Sequence, residues 1–296
     1  MAALVRTRSE LISELGGRRA FDRAVLDGDF IRPVRGAYIP GDEDLSPLLK
    51  AKVAKRLLPK GAYLADRFLL WMWDVDVLPP GPPVLEAVVS RGDVIPRRQG
   101  FKVREAALPD RDVWDWNGVP CLRPPRAVCD LLRRLPAGEA LACADASFRA
   151  TLCSRADLEQ ELVNHAKLRG VRQALYLAGV ADARAESPPE SKVRLQLLEA
   201  GLAPVPQFEV RHNGRWLARV DLAFPELKIA IEYDGREFHT KENAFVRDRQ
   251  RQNDLVSAGW IVLRFTASDL YEGRVVRAVL TAMRQAAAWD QASRTA

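Results

Sequence analysis

The chain has 296 residues, 48% hydrophobic and 28% charged, with 45 basic and 39 acidic side chains and a net charge of +6. That length allows two or three domains that each bury a core, and the apolar runs are far too short to span a membrane. Met-Ala-Ala-Leu-Val-Arg at the start has no signal-peptide core, and Cys121, Cys129, Cys143 and Cys153 lack paired metal-ligand spacing, so reduced thiols in a cytoplasmic protein are expected.

The positive charge is uneven. Residues 186–290 hold fifteen basic and fifteen acidic side chains, whereas residues 46–185 hold twenty-two and sixteen. A modest basic bias of this kind is compatible with nucleic acid without requiring it.

Thr7 or Ser9 caps a short helix that Gly16-Gly17 ends. Arg18 to Leu26 then read as a second helix with Phe21, Val25 and Leu26 on one face. Asp29 to Pro40 read as a short two-stranded wing turned near Arg35-Gly36. On the Arg-Ala-Phe-Asp-Arg-Ala-Val helix and the Val-Arg-Gly-Ala-Tyr-Ile-Pro wing, residues 4–40 resemble the winged helix-turn-helix of the AbiEi-type antitoxins of type IV toxin–antitoxin systems. The resemblance implies contact with DNA. The second helix of a helix-turn-helix enters the major groove, so Arg18, Arg19 and Arg23 are expected at phosphates or bases, with Arg32 and Arg35 reaching the backbone from the wing. A winged-helix fold used for protein packing is the alternative.

Residues 41–47 form a polar linker. Leu48 to Leu58 read as an amphipathic helix with Lys50, Lys52, Lys55 and Arg56 on or near its wet side, and a helix follows at 62–73. Beyond the Pro79–Pro83 break, strands are expected at 84–90, 101–106 and 119–122, then helices at 123–135, 137–148 and after Ser154. Trp71, Trp73, Trp114 and Trp116 read as packing residues rather than a base-stacking platform. This middle region shows no chemical motif and reads as a connector.

From 188 onward the expected order is helix (188–200), strands (206–212, 216–224, 227–234), helix (243–257), strand (260–265), helix (267–288), with Thr266 and Asp269 as a capping box for the last. Strand side chains alternate, so Glu232 and Asp234 share one face while Ile229, Ile231 and Tyr233 take the other. With a turn centred on Pro225-Glu226, Ala230 lies opposite Asp221. Glu232 is then a diagonal neighbour of Asp221 on the same face, roughly 7–8 Å away. Acidic groups packed this closely repel and are costly to bury. A divalent cation relieves the conflict, and all-oxygen ligation suits magnesium or manganese.

Ser-Pro-Pro-Glu190, Val-Asp221, Ile-Glu232-Tyr-Asp234-Gly-Arg-Glu-Phe-His239, Arg247-Asp248-Arg-Gln-Arg251-Gln-Asn253 and Gly259-Trp-Ile-Val-Leu-Arg264-Phe together resemble the PD-(D/E)XK nuclease superfamily. The nearer likeness is to an endonuclease-like family related to the very-short-patch-repair (Vsr) endonucleases. The resemblance covers Ser187 to Leu270. It implies a central metal ligand at Asp221, an acidic partner at Glu232, and Asp234 in the position of the superfamily lysine, a departure shared by the Vsr-like branch. It further implies His239 as base or phosphate polariser, Glu190 completing the acidic set, and Arg251 at the transition-state phosphate beside Asp248, which the sequence assigns to nucleic-acid contact.

Plainer readings stand beside these. Ser187, Pro188 and Glu190 are also a helix cap, Asp234-Gly235 is also a turn signal, His239 suits a surface loop, and Asp248 with Arg251 suits a surface ion pair. The expected fold class is α+β (mixed α/β): a winged helix at 1–45, a mixed connecting domain at 46–185, and a restriction-endonuclease-like αβββαβ core at 186–290. The expected activity is metal-dependent DNA cleavage or nicking using Mg2+ or Mn2+. The alternatives are a non-catalytic DNA-binding regulator or antitoxin with a degenerate nuclease domain, and an RNA-processing nuclease. Duplex DNA is the expected partner and no membrane is; a homodimer and a toxin or repair partner are left open.

Overall fold

The first helix opens on a reciprocal cap. The Thr7 hydroxyl accepts the Glu10 N–H, and the Glu10 carboxylate accepts the Thr7 N–H at 2.7 Å. In the computed structural model, which describes residues 4–81, 83–95, 100–235 and 242–295 (side chains of 242–248 and 290–295 excepted), this is α1 (Arg8–Glu14). It is followed by α2 (Arg18–Leu26), β1 (Phe30–Val34) and β2 (Ala37–Pro40). The two strands pair antiparallel around Arg35-Gly36, with Gly36 at φ 97°, the left-handed region such a tight turn demands. Phe21 meets Tyr38 edge-on at 5.2 Å over buried Leu11. Leu26, expected on the buried face, is 86% exposed and Ala24 is buried instead. Five residues beyond Phe21 is about 140° around a helix, so Leu26 points away from that core.

The chain continues as α3 (Pro47–Leu57), β3 (Tyr63–Leu64), α4 (Asp66–Met72), β4 (Leu85–Ser90), β5 (Phe101–Ala106), β6 (Val113–Trp116), β7 (Val119–Leu122) and α5 (Pro124–Arg134). Then come α6 (Ala137–Arg149), α7 (Arg155–Asn164) and α8 (Val171–Val180). Two compact units result. Residues 1–134 and 150–178 form one; residues 135–149, which carry α6, and 179–296 form the other.

In the first unit the five strands lie in the order β5-β4-β3-β7-β6. Leu49, Val53 and Leu57 of α3 pack with Phe68, Leu69 and Met72 of α4 in its core. Trp73 meets Trp114 and Trp116 edge-on at 6.4 Å each, the packing role the sequence assigns them. Lys50 is not on the wet side of its helix. It is buried, paired with Asp74, and its ammonium lies 5.1 Å from the Trp71 ring centroid.

The second unit follows the expected order: α9 (Pro188–Glu199), β8 (Val205–His212), β9 (Arg215–Phe224), β10 (Ile229–Tyr233), α10 (Glu242–Ser257), β11 (Ile261–Phe265) and α11 (Arg274–Thr295). Its sheet runs β11-β10-β9-β8, with β10 and β11 parallel and the other pairs antiparallel. Val193, Leu197, Val275 and Val279 of α9 and α11 pack with Leu222, Ile229 and Ile231. Leu255, Ala258 and Trp260 pack with Ala223 and Ala230. Buried Asp145 on α6 accepts the Ser191 hydroxyl at 2.7 Å, the Arg194 guanidinium at 2.7 Å and the Asp182 N–H at 2.8 Å, which fixes the start of α9. The Thr266–Asp269 box caps a short 3-10 turn at Ala267–Leu270, and the last helix begins later, at Arg274.

Candidate active site

The hairpin turns one residue later than the spacing predicts. Pro225–Leu227 form a 3-10 turn and Lys228 takes a left-handed φ of 49°, so Phe224 faces Ile229 and Leu222 faces Ile231. One step past that last ladder pair sets Asp221 opposite Glu232, directly across rather than diagonal. The shift preserves strand parity, so both carboxylates stay on one face. The Asp221 carboxylate accepts the Tyr233 N–H at 2.8 Å.

Glu232 lies on the face of Ala230, toward α10. It is 5% exposed, the hardest place in the sheet to keep a charge. Among the described residues, Arg251 and Arg264 compensate it. Arg251 sits four residues before buried Leu255, hence on the inner face of α10, and its Nη1 lies 2.8 Å from Glu232 Oε1. Arg264 on β11 is in parallel register with Glu232, and its Nε lies 3.1 Å from Oε2. Asp234 sits at the open end of β10, half-exposed, 3.8 Å from the Arg264 guanidinium.

Glu190 is buried as well, and its oxygens are committed. They accept the Ser187 hydroxyl at 2.7 Å, the Glu186 N–H at 2.9 Å and the Gln207 amide at 2.8 Å. Glu190 thus supports Ser187, the N-cap of α9, and its charge also acts on Asp221. Burial pushes the Asp221 carboxyl up to about 6; the Tyr233 N–H opposes this, the Glu190 and Glu232 charges add to it, and Arg251 opposes it. A carboxylate titrating near 6 can take a proton from water close to neutral pH.

The structure thus brings Asp221, Glu232, Arg251 and Glu190 together, with Asp234 at the rim. His239 lies outside the described residues, as does the side chain of Asp248, whose backbone belongs to α10. Sequence reasoning missed two neighbours. Arg264 had a readable signal, a charge interrupting the apolar run Ile-Val-Leu-Arg-Phe. Gln207 had none: it lies on β8 with a left-handed φ of 50°, a conformation no local residue pattern announces.

Among the described residues four carboxylates (Glu190, Asp221, Glu232, Asp234) stand near two guanidinium groups (Arg251, Arg264), an acidic excess that a divalent cation at Asp221 would offset, although the ligand atoms of this set are not drawn together in threes within 4.8 Å. Asp221, the group raised to about 6, receives no direct bond from either arginine among the contacts described. A separate acid–histidine cluster occurs in the first unit, where ligand atoms of Asp112, Glu161 and His165 lie within 4.8 Å of one another. His165 is buried there. The Arg126 guanidinium occupies that cluster, bonded to Asp112 and 2.6 Å from His165 Nε2.

Arg18, Arg19, Arg23, Arg32 and Arg35 are all exposed on the N-terminal helices and wing, with no acidic partner among the described residues. No helix among the described residues is long and apolar enough to cross a membrane.

The αβββαβ order of the second unit is the one expected of a restriction-endonuclease-like core. Residues 190–281 match a restriction-endonuclease-like family model, REase_MTES_1575, and residues 76–180 match the AbiEi antitoxin C-terminal domain. The AbiEi likeness therefore falls on the middle of the chain, not on residues 4–40 where the sequence placed it, and the winged helix is not among the matched segments. The chain is 28% identical over 261 residues to the uncharacterized proteins MT2308 and Rv2248 of two Mycobacterium tuberculosis strains, covering 86% of this chain and 91% of each relative. A crystal structure of the RV2827C protein from Mycobacterium tuberculosis is 20% identical, covers 72% of this chain and 83% of its own, and superposes with a TM-score of 0.34.

Proposed function

We propose that the protein is a metal-dependent DNA endonuclease, hydrolysing or nicking a phosphodiester bond at the Asp221–Glu232 cluster, with the N-terminal helices and wing guiding it to duplex DNA. The observation that carries this reading is Asp221. It is half-buried, shares a strand face with Glu232 and is raised to about 6, in part by the Glu190 and Glu232 charges, on a sheet of the restriction-endonuclease-like class, a fold that usually works with divalent metals. Asp221 and Glu232 would hold a magnesium or manganese ion, with Asp234 at the rim. The ion would supply charge stabilisation for the scissile phosphate and an acidified water. Arg251 and Arg264 would serve the phosphate, as preorganised cations at the point where negative charge develops. His239 and Asp248 keep the roles assigned from the sequence, base and nucleic-acid contact.

A second reading is supported by the AbiEi match at 76–180 and by the absence of a lysine at position 234. In it the protein is a DNA-binding regulator or antitoxin whose nuclease-like domain does not cut. Cleavage of supercoiled plasmid in magnesium or manganese, absent in chelator, separates the two. The regulator would shift the plasmid in a gel and leave it uncut under every condition.

A further inference from the structure

The middle of the chain, where the sequence shows no chemical motif, contains a cleft of about 640 Å³. It is bounded by the end of β5, one face of α5 and the segment 163–169, all within the first unit. Eight of its lining side chains are basic and two, Glu105 and Asp130, are acidic. The deep cations are held in place. Arg126 is bonded to Asp112 and, at 3.0 Å, to Asp130; Arg104 bonds Asp130 at 2.8 Å and Asp66 at 2.9 Å. Burial pushes the Asp130 carboxyl up, and the surrounding arginines outweigh it, holding it below its ordinary range.

Arg133 is different. Its side chain is 9% exposed, yet among the described residues Nε and Nη1 have no hydrogen-bond partner and its ion pairing is a 3.6 Å contact from Nη2 to Asp130. A guanidinium buried with two idle donors is expensive unless something fills them. Arg91, Lys167 and Arg169, also on the cleft wall, have no acidic partner among the described residues. Two apolar side chains on the same wall, Val163 and Leu168, are 69% and 37% exposed. The cleft therefore combines unspent cationic donors, an exposed apolar flank and a volume in the range of a nucleotide-sized ligand.

We infer that this cleft is a binding site for a phosphate ester of nucleotide size. The phosphate lies against Arg133, Lys167 and Arg169, and the organic part lies along Val163 and Leu168. The site is separate from the Asp221 cluster and does not depend on the nuclease reading.

Isothermal titration of the full chain with 2′-deoxyadenosine 5′-monophosphate, deoxyadenosine, inorganic phosphate and a blunt duplex lacking terminal phosphates tests it. The mononucleotide is expected to bind saturably with one equivalent, the nucleoside not at all, and inorganic phosphate more weakly. Arg133→Met and the double variant Lys167→Ala/Arg169→Ala should each weaken nucleotide binding by at least about tenfold, the loss of one charge-assisted bond. The double variant touches no core residue, so it decides the question should Arg133→Met fail to fold. Heat from the duplex is expected from the N-terminal arginines and should be unchanged in the double variant; no saturable binding of the mononucleotide, equal nucleotide affinity in wild type and the double variant, or phosphate binding as tightly as nucleotide would each overturn the inference.

Discussion

Arg264 of β11 stands in register with Glu232 of β10, its Nε 3.1 Å from Glu232 Oε2. A parallel neighbour strand thus supplies one cation, and α10 supplies the other through Arg251. A buried glutamate flanked this way is tolerated because both guanidinium groups reach it. Removing one should cost about 1–3 kcal/mol, since Glu232 is left partly unpaired in a dry site. Because the two arginines share one partner, Arg251→Ala and Arg264→Ala should not add. Urea unfolding of the single and double variants is expected to show a coupling of at least about 0.5 kcal/mol; strictly additive losses would mean that the two act independently of Glu232.

Asp221 makes the opposite prediction. Its folded pKa is raised to about 6 from 3.8, so the protonated form is favoured on folding. The stability this group contributes is fully present below pH 3.8 and is lost as pH rises through 6. Asp221→Asn keeps an oxygen for the Tyr233 N–H and removes the charge. Without metal it should therefore stabilise the protein at about pH 8, by up to about 3 kcal/mol, and make little difference at about pH 4. Thermal melts of both proteins in chelator across that range check the sign. A variant less stable at the alkaline end would show that Asp221 already has a compensating partner.

The N-terminal arginines predict a salt signature. Arg18→Ala/Arg19→Ala/Arg23→Ala should weaken binding to duplex DNA of any sequence and flatten its salt dependence. The log–log slope should fall by about 0.9 for each phosphate that is no longer neutralised. Fluorescence anisotropy at several salt concentrations reads both effects. An unchanged slope would assign these residues to surface solvation alone.

The second unit was largely readable because each of its strands carries an unambiguous apolar run and each helix a stop signal; Gly201 and Gly259 end two of them with φ of 75° and 82°. The register of the β9–β10 hairpin was not, because the left-handed Lys228 moves the pivot and nothing at a lysine signals that conformation. The shared face of Asp221 and Glu232 survived only because the pivot shift kept strand parity. Arginine compensation was also hidden. Arg251 and Arg264 lie nineteen and thirty-two residues from Glu232, and only the sheet and α10 bring the three together. The middle region misled for the converse reason. Its buried network joins Asp66, Arg104, Asp112, Arg126 and Asp130 from four separate segments, each unremarkable alone.

The proposed cation site at Asp221 and Glu232 is tested most directly by the nicking rate of supercoiled plasmid by wild type and Asp221→Asn, each in manganese, magnesium or chelator. Wild type should nick only with metal, and the variant should be slower by roughly a hundredfold to a thousandfold while melting as a folded protein. Metal-dependent nicking at the wild-type rate by a folded Asp221→Asn would contradict it.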